Sequence, residues 1–267
     1  MKELKLAVIG KDVSKSGSPS IHAFIADKLG YKVVYDKISI PETKFDTDIY
    51  RIFEEYDGFN VTIPFKLSVI KYLDKTVGDA QVFGAVNTVS AKNKTGYNTD
   101  GLGFMLMLKC GKVDVKDKKV LIIGAGGAGR SVAKKLLDSG AKVFVYNRTP
   151  EKAHALAREF NGVTALDNLQ NTPYYALINA SGVGMHNTEG LSPVGEELIS
   201  LCDVAIDLIY EPAVSKFLEI AASLGKQTMN GRAMLFYQAY YAACIYAEMQ
   251  PDEYVAEKLF KEYLEEL

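Results

Sequence analysis

The chain has 267 residues, 48% hydrophobic and 24% charged, with a formal net charge of −2 and a pI near 6.0. That length suits two ordinary domains, and the apolar content is enough for two cores, which argues against a disordered chain. Near-neutral charge without a long basic run speaks against nucleic acid or an anionic membrane as partner and leaves a small molecule.

Residues 4–9 read as a short apolar strand, too short in its apolar run for a signal peptide, and no segment approaches a membrane span. A polar loop over 11–18 leads to Pro19, which suits the first turn of a helix reaching residue 29, and Gly30 stops it. A second strand rich in Val, Ile and Tyr spans 32–40. An amphipathic helix over 45–56, a third strand over 59–63 ending at Pro64, and a helix over 66–73 follow. Residues 85–97 read as a hairpin or two edge strands, after which Asn98-Thr99-Asp100 cap a helix running to residue 109. A domain boundary is expected near Asp100, with 1–100 and 238–267 forming one domain and 101–237 the other.

The second domain opens with an apolar strand over 119–123 that breaks into Gly124-Ala125-Gly126-Gly127-Ala128-Gly129 and then into helix formers. Gly124, Gly126 and Gly129 fill a G-x-G-x-x-G pattern between strand and helix, the context in which the pattern signals a dinucleotide. The first glycine allows the turn, the second lets a pyrophosphate approach the backbone, and the third lets the helix lie close to the strand. A strand over 141–146 and a helix over 149–160 come next, then strands over 176–179, 204–208 and 227–229 and a helix over 213–224. This alternation predicts an α/β fold with a parallel, doubly wound sheet. A long helix over 231–249 returns to the first domain, and residues 252–267 form a last amphipathic helix. Cys110, Cys202 and Cys244 lack C-x-x-C spacing, and His22, His154 and His186 are equally scattered. Reduced thiols, a cytoplasmic location and no metal site are the expectation.

Where NAD-binding sheets carry an acidic residue at the end of the second strand, this chain has Tyr146-Asn147-Arg148-Thr149. A carboxylate there would repel a 2′-phosphate, whereas a guanidinium makes forked, charge-assisted bonds to it, so NADP is the expected cofactor. Lys152, one helical turn on, is either a second positive charge or a solvated lysine. In the first domain Lys66 and Asp100 are the pair able to move a proton. Spacing alone favours the plainer reading, Lys66 as an exposed lysine at a helix start and Asp100 as a helix cap.

The motifs Ser16-Gly17-Ser18-Pro19, Asn60-Val-Thr-Ile-Pro-Phe-Lys66, Gly84-Ala-Val-Asn-Thr88, Asn98-Thr-Asp-Gly101, Gly124-Ala-Gly-Gly127, Asn147-Arg-Thr149 and Met234 to Gln238 occur in one order along nearly the whole chain. Together they resemble the shikimate dehydrogenase family. The resemblance implies an N-terminal α/β substrate domain and a Rossmann-type NADP domain facing each other across a cleft. The implied activity is reversible NADPH-dependent reduction of 3-dehydroshikimate to shikimate, on the route to chorismate and the aromatic amino acids, by a monomer or homodimer. Lys66 and Asp100 match the family's catalytic pair. Ser16 and Ser18, assisted by Tyr210, would bind the substrate carboxylate, while Asn60, Thr62, Asn87 and Gln238 would meet the ring hydroxyls and reacting oxygen. Gly124, Ala125, Gly126, Gly127 and Ala128 would hold the pyrophosphate, Asn147, Arg148, Thr149 and Lys152 the adenosine phosphate, and Leu208 and Gly231 the nicotinamide end. Four positions depart from the pattern: Gly17 replaces a lysine, Lys152 replaces a second arginine, and Arg232-Ala233 stand where Leu-Gly is usual. Two alternatives are a quinate/shikimate dehydrogenase that also uses NAD, and a catalytically idle NADP-binding regulator.

Overall fold

The computed structural model describes residues 2–267, with position 186 described by its backbone. The chain forms two compact units, one made of the residues up to Gly103 together with Phe236–Leu267, the other of Phe104–Leu235.

The first unit runs β1 (Glu3–Gly10), α1 (Ser18–Leu29), β2 (Lys32–Ser39), α2 (Phe45–Glu55), β3 (Gly58–Val61), β4 (Lys75–Thr76), α3 (Asp79–Phe83), β5 (Thr88–Ser90), β6 (Thr95–Tyr97) and α4 (Asp100–Cys110), the last of which carries the chain into the second unit. Its six strands lie in the order β2-β1-β3-β5-β6-β4. β2, β1 and β3 are parallel, whereas β5 runs antiparallel to both β3 and β6. Strand alternation sorts β1 onto two faces. Ala7 and Ile9 join Phe45, Ile49 and Phe59 in one core, while Leu4 and Leu6 meet Ala26, Tyr31, Ala242 and Tyr246 in another. The antiparallel turn-back has a chemical consequence, because it sets the start of β5 against the end of β3, with Asn60 opposite Thr88, and Thr88 opposite Tyr97 at the end of β6.

The second unit continues through β7 (Lys119–Ile123), α5 (Gly127–Asp138), β8 (Lys142–Tyr146), α6 (Pro150–Glu159), β9 (Val163–Leu166), β10 (Tyr174–Asn179), α7 (Glu196–Ser200), β11 (Cys202–Asp207), α8 (Lys216–Ser223) and β12 (Gln227–Met229). Its strands lie β12-β11-β10-β7-β8-β9, parallel throughout, the doubly wound arrangement expected from the alternating elements. Strands β7, β10 and β11 are buried almost end to end, as strands covered on both faces must be. Helix α9 (Arg232–Ala247) then carries the chain back to the first unit, where α10 (Glu253–Glu265) closes it, capped by the Asp252 carboxylate on the Tyr254 and Val255 amides. The helix expected over 66–73 is instead a turn followed by a 3-10 helix over Ser68–Tyr72. Lys66 O accepts from Val86 N at 2.8 Å, so a helical bond to that carbonyl gives way to one that ties the segment to the sheet. None of the described helices is long and apolar enough to cross a membrane.

His22, on α1, is 1% exposed and its imidazole stacks on Tyr35 at 4.8 Å between centroids. Burial lowers its pKa from 6.5 to about 3, against a smaller opposing pull from the Asn60 amide. The unfolded chain therefore binds this proton more readily than the native one. The stability carried by neutral His22 is complete above pH 6.5 and is lost as pH falls towards 3. Urea titrations from pH 7 to pH 3 should show wild type losing up to about 1.4 kcal/mol per pH unit more than His22→Phe, which has no proton to bind. Parallel curves for the two proteins would remove His22 from the acid response.

Candidate active site

The end of β3, the start of β5 and the start of α4 bring Asn60, Asn87, Thr88, Thr99 and Asp100 together, all in the first unit. Asn87 is 3% exposed and sits at their centre. Its Oδ1 accepts from Thr99 N at 2.9 Å and from Thr88 Oγ1 at 2.8 Å. A backbone N–H can only donate, which settles the orientation of the amide. Asn87 Nδ2 then donates to Asp100 Oδ1 at 2.8 Å and Thr99 Oγ1 at 3.0 Å, with Gln238 Oε1 at 3.4 Å. The other Asp100 oxygen, Oδ2, takes the Lys66 ammonium at 2.6 Å. The Lys66 and Asp100 side chains are 28% and 16% exposed, sheltered enough to hold one geometry and open enough to reach a ligand. Next to Lys66, Phe65 is clamped on Phe45 in a 4.1 Å parallel stack, which anchors the turn that carries the lysine.

Asn60 is buried, and its Nδ2 donates to Asn87 O at 3.1 Å and Thr88 Oγ1 at 3.2 Å. Thr62 is half-buried one turn before Lys66, and Gln238 lies on α9 within this unit, its Oε1 also 3.4 Å from Thr99 Oγ1. Ser16 and Ser18 are half-buried at the start of α1, where Ser16 Oγ donates to Ser18 Oγ at 3.1 Å. Ser18 N donates to Ser16 Oγ at 3.3 Å, Pro19 has no N–H to give, and Gly17 at the N-cap offers no side chain, so Ser16 and Ser18 offer their two hydroxyls here.

In the second unit, Gly124 has φ +116, and a Cβ on Gly129 would lie 2.1 Å from Gly124 O, so strand and helix close on each other at backbone distance. Gly126, Gly127 and Ala128 are exposed, and a Cβ on Gly126 or Gly127 would meet nothing within 4 Å. Helix α5 starts there without a side-chain cap. Open space in front of uncapped helix N–H groups is what a pyrophosphate requires. Asn147 Oδ1 accepts from Ala125 N at 3.0 Å and its Nδ2 donates to Thr149 O at 2.9 Å, which binds the glycine turn to the loop after β8. On that loop Arg148 and Thr149 are exposed, as is Lys152 on α6. Arg130, the arginine just after the turn motif, is ion-paired with Glu159, which leaves Arg148 as the guanidinium suited to a 2′-phosphate. The residues present therefore fit NADP.

Leu208 and Tyr210 lie on the loop after β11, where burial raises the Tyr210 phenol and Glu211 raises it further. Gly231 N donates to Ile209 O at 2.9 Å, which fastens the segment before α9 to the same loop. That loop is set from below by a buried cluster that no sequence motif announced. Asp207 accepts from Ser215 Oγ at 2.6 Å, Ile209 N at 3.0 Å and Asn179 Nδ2 at 3.0 Å. Burial raises the Asp207 pKa, and the three donors pull it back towards the carboxylate. Thr88, Thr99 and Tyr35, the donor to Asn60 Oδ1 at 2.7 Å, are further members of the first-unit network that the sequence did not single out. The signal was present for the threonines: Asn87-Thr88 and Asn98-Thr99 repeat one polar dipeptide at two neighbouring strand ends.

A lysine–carboxylate pair among buried amides and hydroxyls on one α/β unit, and a glycine turn of dinucleotide type on the other, are the parts of a pyridine-nucleotide oxidoreductase acting on an alcohol carbon. Residues 8–89 match the family model for the shikimate dehydrogenase substrate binding domain and residues 107–184 that for shikimate / quinate 5-dehydrogenase. The chain is 38% identical to the shikimate dehydrogenase (NADP(+)) of Carboxydothermus hydrogenoformans over 88% of this chain and 89% of that one. It superposes with a TM-score of 0.91 and 34% identity on a chorismate mutase/shikimate 5-dehydrogenase fusion protein from Clostridium acetobutylicum, covering 100% of this chain and 99% of that one. With the shikimate 5-dehydrogenase of Thermus thermophilus, solved in complex with NADP(H) and shikimate, the TM-score is 0.87 at 35% identity, covering 97% of this chain and 99% of that one. The chain belongs to the shikimate dehydrogenase family.

The two glycine environments make a stability prediction. Gly129→Ala should cost ~1–3 kcal/mol in urea denaturation, because its Cβ meets backbone that cannot yield. Gly126→Ala should stay within about 1 kcal/mol of wild type, the range of an N-cap exchange. Equal losses at both positions would contradict the geometry.

Proposed function

We propose that this protein catalyses the reversible NADP-dependent interconversion of 3-dehydroshikimate and shikimate. The observation that carries this reading is the 2.6 Å contact of Lys66 with Asp100, held from behind by Asn87. Bound NADPH supplies the hydride for the carbonyl carbon. Lys66 gives its proton to the carbonyl oxygen as the alkoxide develops, and takes one from the hydroxyl in the reverse direction. The Asp100 carboxylate holds the ammonium in line and stabilises its charge between turnovers. Ser16 and Ser18 donate to the substrate carboxylate at the start of α1, with Tyr210 assisting, and the helix end favours the negative group. Thr62 and Gln238 meet ring hydroxyls, whereas Asn60 and Asn87 shape the wall around the reacting oxygen. Arg148, with Asn147, Thr149 and Lys152, selects the 2′-phosphate, and Gly124 to Ala128 receive the pyrophosphate. Leu208 and Gly231 line the nicotinamide end, next to Arg232 and Ala233 at the start of α9.

We assign substrate binding and catalysis to residues 1–100 and 238–267 and cofactor binding to 101–237. The family-model matches over 8–89 and 107–184 support that division. The free thiols Cys110, Cys202 and Cys244 support a cytoplasmic protein, and we read it as a monomer or homodimer.

An assay of reduced-nicotinamide absorbance with shikimate and NADP+ tests the function directly. Lys66→Ala should lower kcat by roughly 10²- to 10⁴-fold, the worth of a positioned acid-base group, and an unchanged kcat would exclude Lys66 from the proton transfer. Arg148→Leu should lower kcat/KM for NADP+ by roughly 10- to 100-fold and that for NAD+ by less than about threefold, since only the former loses a charge-assisted bond. Equal losses with both cofactors would assign Arg148 elsewhere.

A further inference from the structure

Tyr35, on β2, bonds directly to the polar network yet has been given no role above. Its hydroxyl donates to Asn60 Oδ1 at 2.7 Å. With Oδ1 taken by the phenol, Nδ2 points to Asn87 O and Thr88 Oγ1. Thr88 Oγ1 passes its own proton to Asn87 Oδ1 at 2.8 Å, and Asn87 Nδ2 donates to Asp100 Oδ1, whose partner oxygen holds Lys66. An unbroken run of hydrogen bonds thus connects the phenol to the ammonium. Asn87 O can only accept, so the Asn60 NH2 must face it, and Asn60 Oδ1 is thereby turned to the phenol. Asn60 is 7% exposed with its amide nitrogen engaged within the protein, so it acts through its bonds to Asn87 O and Thr88 Oγ1.

The ring of Tyr35 is held in place independently of its hydroxyl. His22 stacks on it at 4.8 Å with 21° between planes, and Tyr246 stands beyond His22 at 6.0 Å.

We propose that Tyr35 is a positioning residue which, through Asn60, Thr88 and Asn87, steadies the Asp100 carboxylate and the Lys66 ammonium in their paired geometry. The inference rests on the function proposed above. It is tested with Tyr35→Phe, Thr88→Val and the double variant, each assayed with shikimate and NADP+ beside wild type. Tyr35→Phe keeps the stacked ring and removes the one hydroxyl, and it should lower kcat about 3- to 10-fold, the worth of one hydrogen bond expressed in the rate. The KM for NADP+ should not change, because the glycine turn and Arg148 belong to the second unit. Thr88→Val cuts the same run further along and should lower kcat similarly. Because both changes interrupt one path, the double variant should fall no further than the worse single one. Loss of fold alone would reduce the yield of active protein and leave kcat per folded molecule intact.

A wild-type kcat in Tyr35→Phe, or losses that multiply in the double variant, would overturn the inference. If Tyr35→Phe does not fold, Thr88→Val carries the same expectation alone, and a wild-type kcat there overturns it equally. Wild-type protein silent with shikimate and NADP+ removes the functional reading and the inference with it. An active wild type beside an unimpaired Tyr35→Phe removes the inference only.

Discussion

The first unit depends on the saturation of one buried amide. Asn87 accepts a backbone N–H on one side and donates to a carboxylate on the other, so neither end can turn without leaving a buried polar atom unpaired. In a medium of low dielectric that penalty is severe, and the orientation of Asn87 becomes a property of the fold. Asp100 is then presented with one oxygen committed to Asn87 and the other to Lys66. The sheet topology makes this possible. In a sheet parallel throughout, the starts and ends of strands lie at opposite edges. The reversal at β5 places Asn87, just before a strand start, beside Asn60 near a strand end.

The second unit reaches precision by other means. Its glycine turn specifies through backbone proximity, with Gly129 against Gly124, and leaves side chains out of the space where phosphates come. Charge is placed with equal economy: Arg130 is consumed by Glu159, and Arg148 stays exposed at the end of β8. The Asp207 cluster anchors the loop after β11 from within the core, much as Asn87 anchors α4, but with a carboxylate at its centre. Side-chain hydrogen bonds hold geometry in both units, and in the first they end on the paired Lys66 and Asp100.

The parts of the fold legible in the sequence were those with local punctuation. β1, β2, β7 and β8 are apolar runs bounded by glycine, proline or polar turns, and α6 announces itself by Thr149-Pro150. Elements that draw their order from distant partners were not legible. β4 is two residues long, β9 four, and α3 and α7 five each, too short for any period to register. The 3-10 helix over Ser68–Tyr72 follows a turn whose carbonyl is captured by Val86, a pairing that no local pattern records. In the site, Lys66, Asn87 and Asp100 stood out as motif members, while Tyr35 was one of 16 tyrosines until its partner 25 residues away was known. Asn179, Asp207 and Ser215 were hidden for the same reason, since their bonds join separate strands and loops.

The first unit is interrupted by the second along the chain, and this has a consequence for the order of biosynthesis. All of residues 104–235 leave the ribosome before the segment that completes the first unit. Until then the face of β1 that carries Leu4 and Leu6 lacks Ala242 and Tyr246, and Gln238 has not joined the polar cluster around Asn87. The nascent protein thus holds a complete nucleotide-type sheet next to an open one. The first unit is therefore finished last, although its strands are the first to be made.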